Sequence, residues 1–143
     1  MERLTVWVDG ASRGNPGPAG IGILIKGQSG IDEIKFSRYI GEATNNQAEY
    51  RALIMALEES AKLGAVHPDI RMDSELVVRQ VQGSYKTRNA KLKPLLQRVK
   101  QLLTGFQSFT ITHIPRQQNR IADALANQAI DRQSAPRSLS SRK

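Results

Sequence analysis

A chain of 143 residues, 39% of them apolar and 24% charged, is long enough to bury the core of one domain. It has no cysteine, which excludes disulfides and thiolate metal sites, and no apolar run near the roughly 20 residues that span a membrane. A net charge of +8 fits either a polyanionic partner, whose counterions Lys and Arg would release, or a merely basic surface, and charge alone leaves both open.

The first residues, MERLTVWV, carry charge straight into a strand-like run without the apolar region of a signal peptide. With the lack of cysteine, this leads us to expect a cytoplasmic protein. Residues 3–9 read as a short buried strand that ends on an acid, Asp9. A rigid, bare loop follows, through Gly10, Gly14, Asn15, Pro16, Gly17 and Pro18. Residues 20–26 and 33–41 form two further strands, joined antiparallel through the hairpin signal QSGID. Residues 46–63 form a long helix: Ala48, Ala52, Met55 and Ala56 recur at helical spacing, and Gly64 stops it. Then come a strand over 68–73, a helix over 75–82 closed by Gly83, and a helix over 92–103. A fifth strand covers 106–113, and a last helix covers 120–131 with Ala122, Leu125, Ala126 and Ala129 facing inward. From Gln133 the Ser/Arg-rich tail has no core-forming pattern, so we expect one domain over 1–132 and a disordered tail over 133–143. Three antiparallel strands followed by two reached through helices imply an α/β fold, a mixed sheet with helices packed on it. In such sheets sites gather where strands end.

Four carboxylates stand out, and each has a local explanation. Asp9 beside Gly10 suits a turn. Glu49 follows Asn46 at capping-box spacing, and Thr44 with Gln47 overlaps that box. Glu49 also shares a helix face with Ala52, Leu53 and Ala56, where a lone charge is expensive. Asp73 competes with Ser74 to cap the helix that starts at Glu75. Asp123, in the first turn of the last helix, suits the helix dipole. Their conjunction is less easily explained. Two end strands that should be parallel neighbours, and two lie early in helices packed on that sheet. Carboxylates gathered in one cleft repel and raise each other's pKa, a conflict that divalent cations remove. Oxygen ligands without Cys or a His cluster suit Mg²⁺ or Mn²⁺ rather than zinc. Two such ions roughly 3.5–4 Å apart make the clamp used for phosphodiester cleavage.

The blocks DGASRGNPGPAGIG, TNNQAEYRAL, MDSELVVRQ and HIPRQQNRIADALAN resemble the type 1 ribonuclease H family in order and in spacing, over residues 4–131. The resemblance implies a ribonuclease H-like fold, with a mixed five-stranded sheet in the order 3-2-1-4-5 flanked by helices. It implies endonucleolytic hydrolysis of the RNA strand of RNA/DNA hybrids with two Mg²⁺ ions, for which Mn²⁺ can substitute. The implied ends are a 5′-phosphate and a 3′-hydroxyl. By position, it makes Asp9, Glu49, Asp73 and Asp123 the catalytic carboxylates and metal ligands. It sets Asn15, Asn45 and Asn46 beside the minor groove of the hybrid, where 2′-hydroxyls distinguish RNA from DNA. Gly10 would let backbone approach the substrate, and Thr44 and Ser74 are candidates for phosphate contacts. The expected partner is an RNA/DNA hybrid, and the expected protein is a monomer with no membrane association.

The chain departs from that family in three places. Glu75 stands where well-known bacterial members carry Gln, and it brings an extra negative charge near substrate. The segment GSYKTRNAKLKP is shorter and poorer in aromatics than their basic protrusion, and offers Tyr85, Lys86, Arg88, Lys91 and Lys93. In the loop IPRQQN, Arg116 best matches their mobile His, with His113 left to the strand end. Arg cannot shuttle protons at neutral pH, so its role would be electrostatic. Two other readings stay open: a non-catalytic nucleic-acid-binding module on this fold, and an integrase-like nuclease acting on DNA. The four acids speak against the first; Asn15, Asn45 and Asn46 speak for hybrids over DNA.

Overall fold

A computed structural model describes residues 2–28 and 32–134. The strands are β1 (Arg3–Ser12), β2 (Gly17–Gly27), β3 (Glu33–Ala43), β4 (His67–Met72) and β5 (Thr110–His113), in the lateral order β3-β2-β1-β4-β5. The β1–β2 and β2–β3 pairs are antiparallel, and β1–β4 and β4–β5 are parallel. The helices are α1 (Asn45–Lys62), α2 (Glu75–Gln82), α3 (Lys93–Leu103) and α4 (Arg120–Ser134).

Strand alternation divides the sheet into two faces. On one face Leu4, Val6, Val8, Ile21, Ile23 and Ile25 join Leu53, Leu57, Val77 and Val99 in the main core. Full burial of each such side chain contributes about 1.5–3 kcal/mol. On the other face α4 crosses β1, β2 and β3. Glycine permits that crossing: a Cβ on Gly22 would stand 2.1 Å from the Ala122 carbonyl oxygen. Gly22 is the register partner of Asp9, and Ala122 directly precedes Asp123. The bare stretch of β2 therefore seats the first turn of α4 above Asp9.

Several boundaries differ from the sequence reading. β1 continues past Asp9 to Ser12, and β2 starts at Gly17, so the rigid loop shrinks to residues 13–16, with a cis Asn15–Pro16 bond. What ends at Asp9 is the parallel ladder with β4, whose last pair is Val8 and Met72. β5 begins at Thr110 rather than at residue 106, because the chain is still turning there. The Gln107 and Ser108 N–H groups both donate to the Val66 carbonyl, at 3.1 and 3.3 Å. α4 runs to Ser134, so Gln133 and Ser134 belong to the helix and not to the tail. The rest of the expected tail, residues 135–143, lies outside the described residues. No helix among the described residues is long and apolar enough to cross a membrane.

Candidate active site

Local capping decides which acids are free. At the start of α1 the box forms between Thr44 and Gln47: the Gln47 N–H donates to Thr44 Oγ1 at 3.1 Å, and the Thr44 N–H to Gln47 Oε1 at 2.8 Å. Glu49 is left out of the cap and turns toward β1, where its Oε1 accepts the Gly10 N–H at 2.8 Å. At α2, Ser74 takes the N-cap, its Oγ accepting the Val77 N–H at 3.4 Å. Asp73 is released in turn. At α4, Asp123 stands near enough to Asp9 to raise its carboxyl pKa, and its Oδ1 accepts from Asn127 Nδ2 at 3.3 Å.

The four acids line one cavity of about 270 Å³ together with Gly10, Asn45 and Arg116. One oxygen each from Asp9, Glu49 and Asp73 lies within 4.8 Å of the others. Asp9 is 4% exposed and Glu49 5%. Burial, then the charges of Glu49, Asp73 and Asp123, push the Asp9 carboxyl up to about 10. Burial likewise pushes Glu49 up to about 8; the Gly10 N–H opposes this, while Asp73 and Asp123 add to it. Arg116 is the one cation lining this cavity among the described residues, 3.8 Å from Asp123 with a side chain 79% exposed. It is too far out in solvent to neutralise the cluster. An all-oxygen donor set in which burial and crowding raise Asp9 and Glu49 this far fits a hard divalent cation such as Mg²⁺ or Mn²⁺, which Asp9, Glu49 and Asp73, with Asp123 beside them, would hold.

Beside the acids lies a second cavity of about 200 Å³, lined by Asn15, Thr44, Asn46, Asn89 and Lys91 among others. Asn15 Oδ1 accepts the Asn45 N–H at 3.1 Å, tying the loop after β1 to the start of α1. Thr44 Oγ1 accepts within the cap, which leaves its hydroxyl proton available to a ligand. The structure therefore gathers Asn15, Thr44, Asn45 and Asn46 beside the carboxylates. Glu75 lies apart, exposed and 3.6 Å from Arg79 one turn along α2, outside the acid cavity. Gly10 has a tighter role than access for a ligand: a Cβ there would lie 2.3 Å from the Ala48 carbonyl carbon and oxygen. His113 is the last residue of β5, and Arg116 starts a single 3-10 turn, Arg116–Gln118.

Sequence reasoning missed Ser12 and Asn89. Ser12 Oγ donates to the Ala43 carbonyl at 2.7 Å and also contacts the Gly14 carbonyl, which fastens the Asn15 loop to the end of β3. Asn89 Oδ1 accepts the Lys91 N–H at 2.8 Å, turning the basic segment toward Thr44. Only the Asn-x-Lys spacing of an Asx turn could have pointed to it.

The family model described as Reverse transcriptase-like matches residues 7–129. Ribonuclease HI of Halobacterium salinarum is 49% identical over 130 residues, covering 90% of this chain and 65% of the relative. The bifunctional protein Rv2228c of Mycobacterium tuberculosis is 41% identical over 130 residues, covering 90% of this chain and 36% of its own. The chain thus spans less than two thirds of these relatives. Among solved structures, LC11-RNase H1, isolated from compost by a metagenomic approach and crystallised in complex with an RNA/DNA hybrid, superposes with a TM-score of 0.84 at 42% identity. That match covers 92% of this chain and 99% of the other.

Proposed function

Since the chain belongs to the type 1 ribonuclease H family, we propose that it hydrolyses the RNA strand of RNA/DNA hybrids endonucleolytically, with two divalent metal ions, leaving 5′-phosphate and 3′-hydroxyl ends. The observation that carries this reading is the approach of the Asp9, Glu49 and Asp73 oxygens to within 4.8 Å of one another, in a cavity shared with Asp123. Mg²⁺ or Mn²⁺ held there supplies charge neutralisation, an activated water and stabilisation of the leaving 3′-oxygen.

The chain's own residues do the rest. Asp9 is a rigid ligand because β1 pairs on both sides through Val8. The Gly10 N–H holds Glu49 in one orientation. Asn15, Asn45 and Asn46 bring amide donors and acceptors to the rim, suited to the 2′-hydroxyls of an RNA strand in the minor groove. Thr44, with Asn89 and Lys91 beside it, suits a backbone phosphate; Ser74, the α2 N-cap directly after Asp73, is a second candidate for such a contact, whereas Glu75 stands apart, paired with Arg79. Arg116, exposed and cationic beside Asp123, draws the cleaved phosphate away and aids release. The same reading takes the protein as a cytoplasmic monomer.

The test is incubation of labelled RNA/DNA hybrid, duplex DNA, duplex RNA and single-stranded RNA with and without Mg²⁺. Hybrid alone should be cut, and only with metal. Binding of hybrid without cleavage would make the protein a binding module, and cleavage of duplex DNA would make it an integrase-like nuclease.

A further inference from the structure

Asn119 precedes α4 and is 1% exposed, yet it touches no other side chain by hydrogen bond. Its carbonyl accepts the Asp123 N–H at 3.1 Å, the first bond of the helix, so it occupies the N-cap. An N-cap Asn ordinarily turns its Oδ1 onto the helix's free N–H groups. Here it does not. Nδ2 donates instead to the Val8 carbonyl at 2.9 Å, and Oδ1 is the one buried side-chain polar atom without a partner among the described residues. The orientation is fixed by chemistry, since the reverse amide would set oxygen against oxygen. The helix thus gives up a cap, and the side chain leaves an acceptor bare, in order to make this one long-range bond.

Its position explains the arrangement. Val8 directly precedes Asp9, and Asn119 is one helical turn before Asp123. At the other end of the same loop, the Ile114 N–H donates to the Met72 carbonyl at 2.8 Å, directly before Asp73. Val8 and Met72 are the last parallel pair of the β1–β4 ladder. The loop over residues 114–119 is therefore fastened at both ends to the carbonyls that precede two of the acids. The Ile114 end is a backbone bond that almost any residue would make. The Asn119 end depends on a side chain.

We propose that Asn119 is a positioning residue: its side-chain bond to Val8 sets the separation of Asp9 from Asp123 and so the affinity of the acid cluster for divalent metal, with no hydrogen bond from that side chain to either carboxylate. This rests on the metal-dependent reading of the site given above, but its test does not require cleavage. In Asn119→Leu the side chain keeps its approximate size and loses both the donor and the bare acceptor. In Asn119→Ser the residue caps α4 with its own hydroxyl, so the helix is retained while the bond to Val8 is lost.

Mg²⁺ affinity is measured by calorimetry on parent and variants without nucleic acid, beside melting temperatures in EDTA. The expected result is an Mg²⁺ affinity about tenfold or more weaker in each folded variant, as for other groups that orient metal ligands. Melting temperature in EDTA should stay near the parent in at least Asn119→Ser. In cleavage assays the loss of kcat should be recovered by raising Mg²⁺, with KM for hybrid unchanged. Parental Mg²⁺ affinity in a folded Asn119→Ser would overturn the proposal, even if Asn119→Leu failed to fold. A parent that binds Mg²⁺ but does not cut hybrid would overturn the reading of the reaction and leave the affinity comparison to decide the role of Asn119.

Discussion

The Gly10 N–H donates to Glu49 Oε1 at 2.8 Å, across a junction where the backbones of β1 and α1 nearly touch. No side chain fits at residue 10, because a Cβ would press 2.3 Å from the Ala48 carbonyl carbon and 2.5 Å from the Glu49 nitrogen. Gly10→Ala must push α1 away from the sheet and take Glu49 with it. We predict a destabilisation of about 3 kcal/mol, at the upper end of overpacking costs, together with loss of metal-dependent cleavage. Urea unfolding and a hybrid cleavage assay on the same preparation check both. A variant as stable as the parent would show that the junction has slack.

The acid cluster makes stability depend on pH and metal together. Folded Asp9 and Glu49 hold their protons up to about 10 and about 8, whereas unfolded carboxyls lose them near 4. In between, the folded chain binds more protons than the unfolded one. The stability these groups contribute is therefore full below about pH 4 and is lost as pH rises through their folded values. In EDTA, urea melts from pH 5 to 8 should show the parent weakening relative to an Asp9→Asn/Glu49→Gln variant. Saturating Mg²⁺ should shrink the difference, because it favours the ionised ligands. A parent that gains stability over the variant with rising pH in EDTA would contradict the strain we assign to the cluster.

Much of this site is legible in the residues, and the part that is not has a physical reason. The four acids could be picked out by position, and the rival roles for two of them were decided by chemistry close at hand. Thr44 and Gln47 close the capping box, and Ser74 takes the α2 cap, which frees Glu49 and Asp73. The start of β5 was misplaced because Phe106, although buried, packs from a turn and not from a strand. The bonds of Ser12 to Ala43 and of Asn119 to Val8 left no local trace, since they join residues 31 and 111 apart in the chain. The close approaches at Gly10 and Gly22 likewise exist only once α1 and α4 are docked.

Arg116 lies at the mouth of the cluster, 3.8 Å from Asp123 and largely in solvent. Its removal should spare the fold and slow product release more than chemistry. For Arg116→Ala we expect multiple-turnover rates to fall on the order of tenfold, with single-turnover cleavage much less affected, since the metals carry the bond breaking. Rapid-quench bursts beside steady-state rates decide this. Equal rates for parent and variant in both regimes would leave the loop cation without a role.

Lys91 shares a cavity with Asn15, Thr44 and Asn46. If it meets a phosphate, Lys91→Ala should raise KM for hybrid, leave kcat near the parent value and reduce the salt dependence of binding by about one ion. Titrations of hybrid onto the protein at several salt concentrations, with EDTA present to prevent cleavage, measure it. An unchanged salt slope would mean that Lys91 faces only solvent.

The central claim is that Asp9, with Glu49, Asp73 and Asp123, holds the metal that cuts RNA in a hybrid. Its most direct test is single-turnover cleavage of an end-labelled RNA/DNA hybrid by the parent and by Asp9→Asn, with Mg²⁺ and with EDTA, and with the product ends mapped. The account predicts Mg²⁺-dependent internal cuts by the parent that leave 5′-phosphates, and a loss of about a thousandfold or more in Asp9→Asn. That variant should still fold and still bind hybrid. Cleavage by Asp9→Asn near the parental rate, or parental cleavage that persists in EDTA, would contradict it.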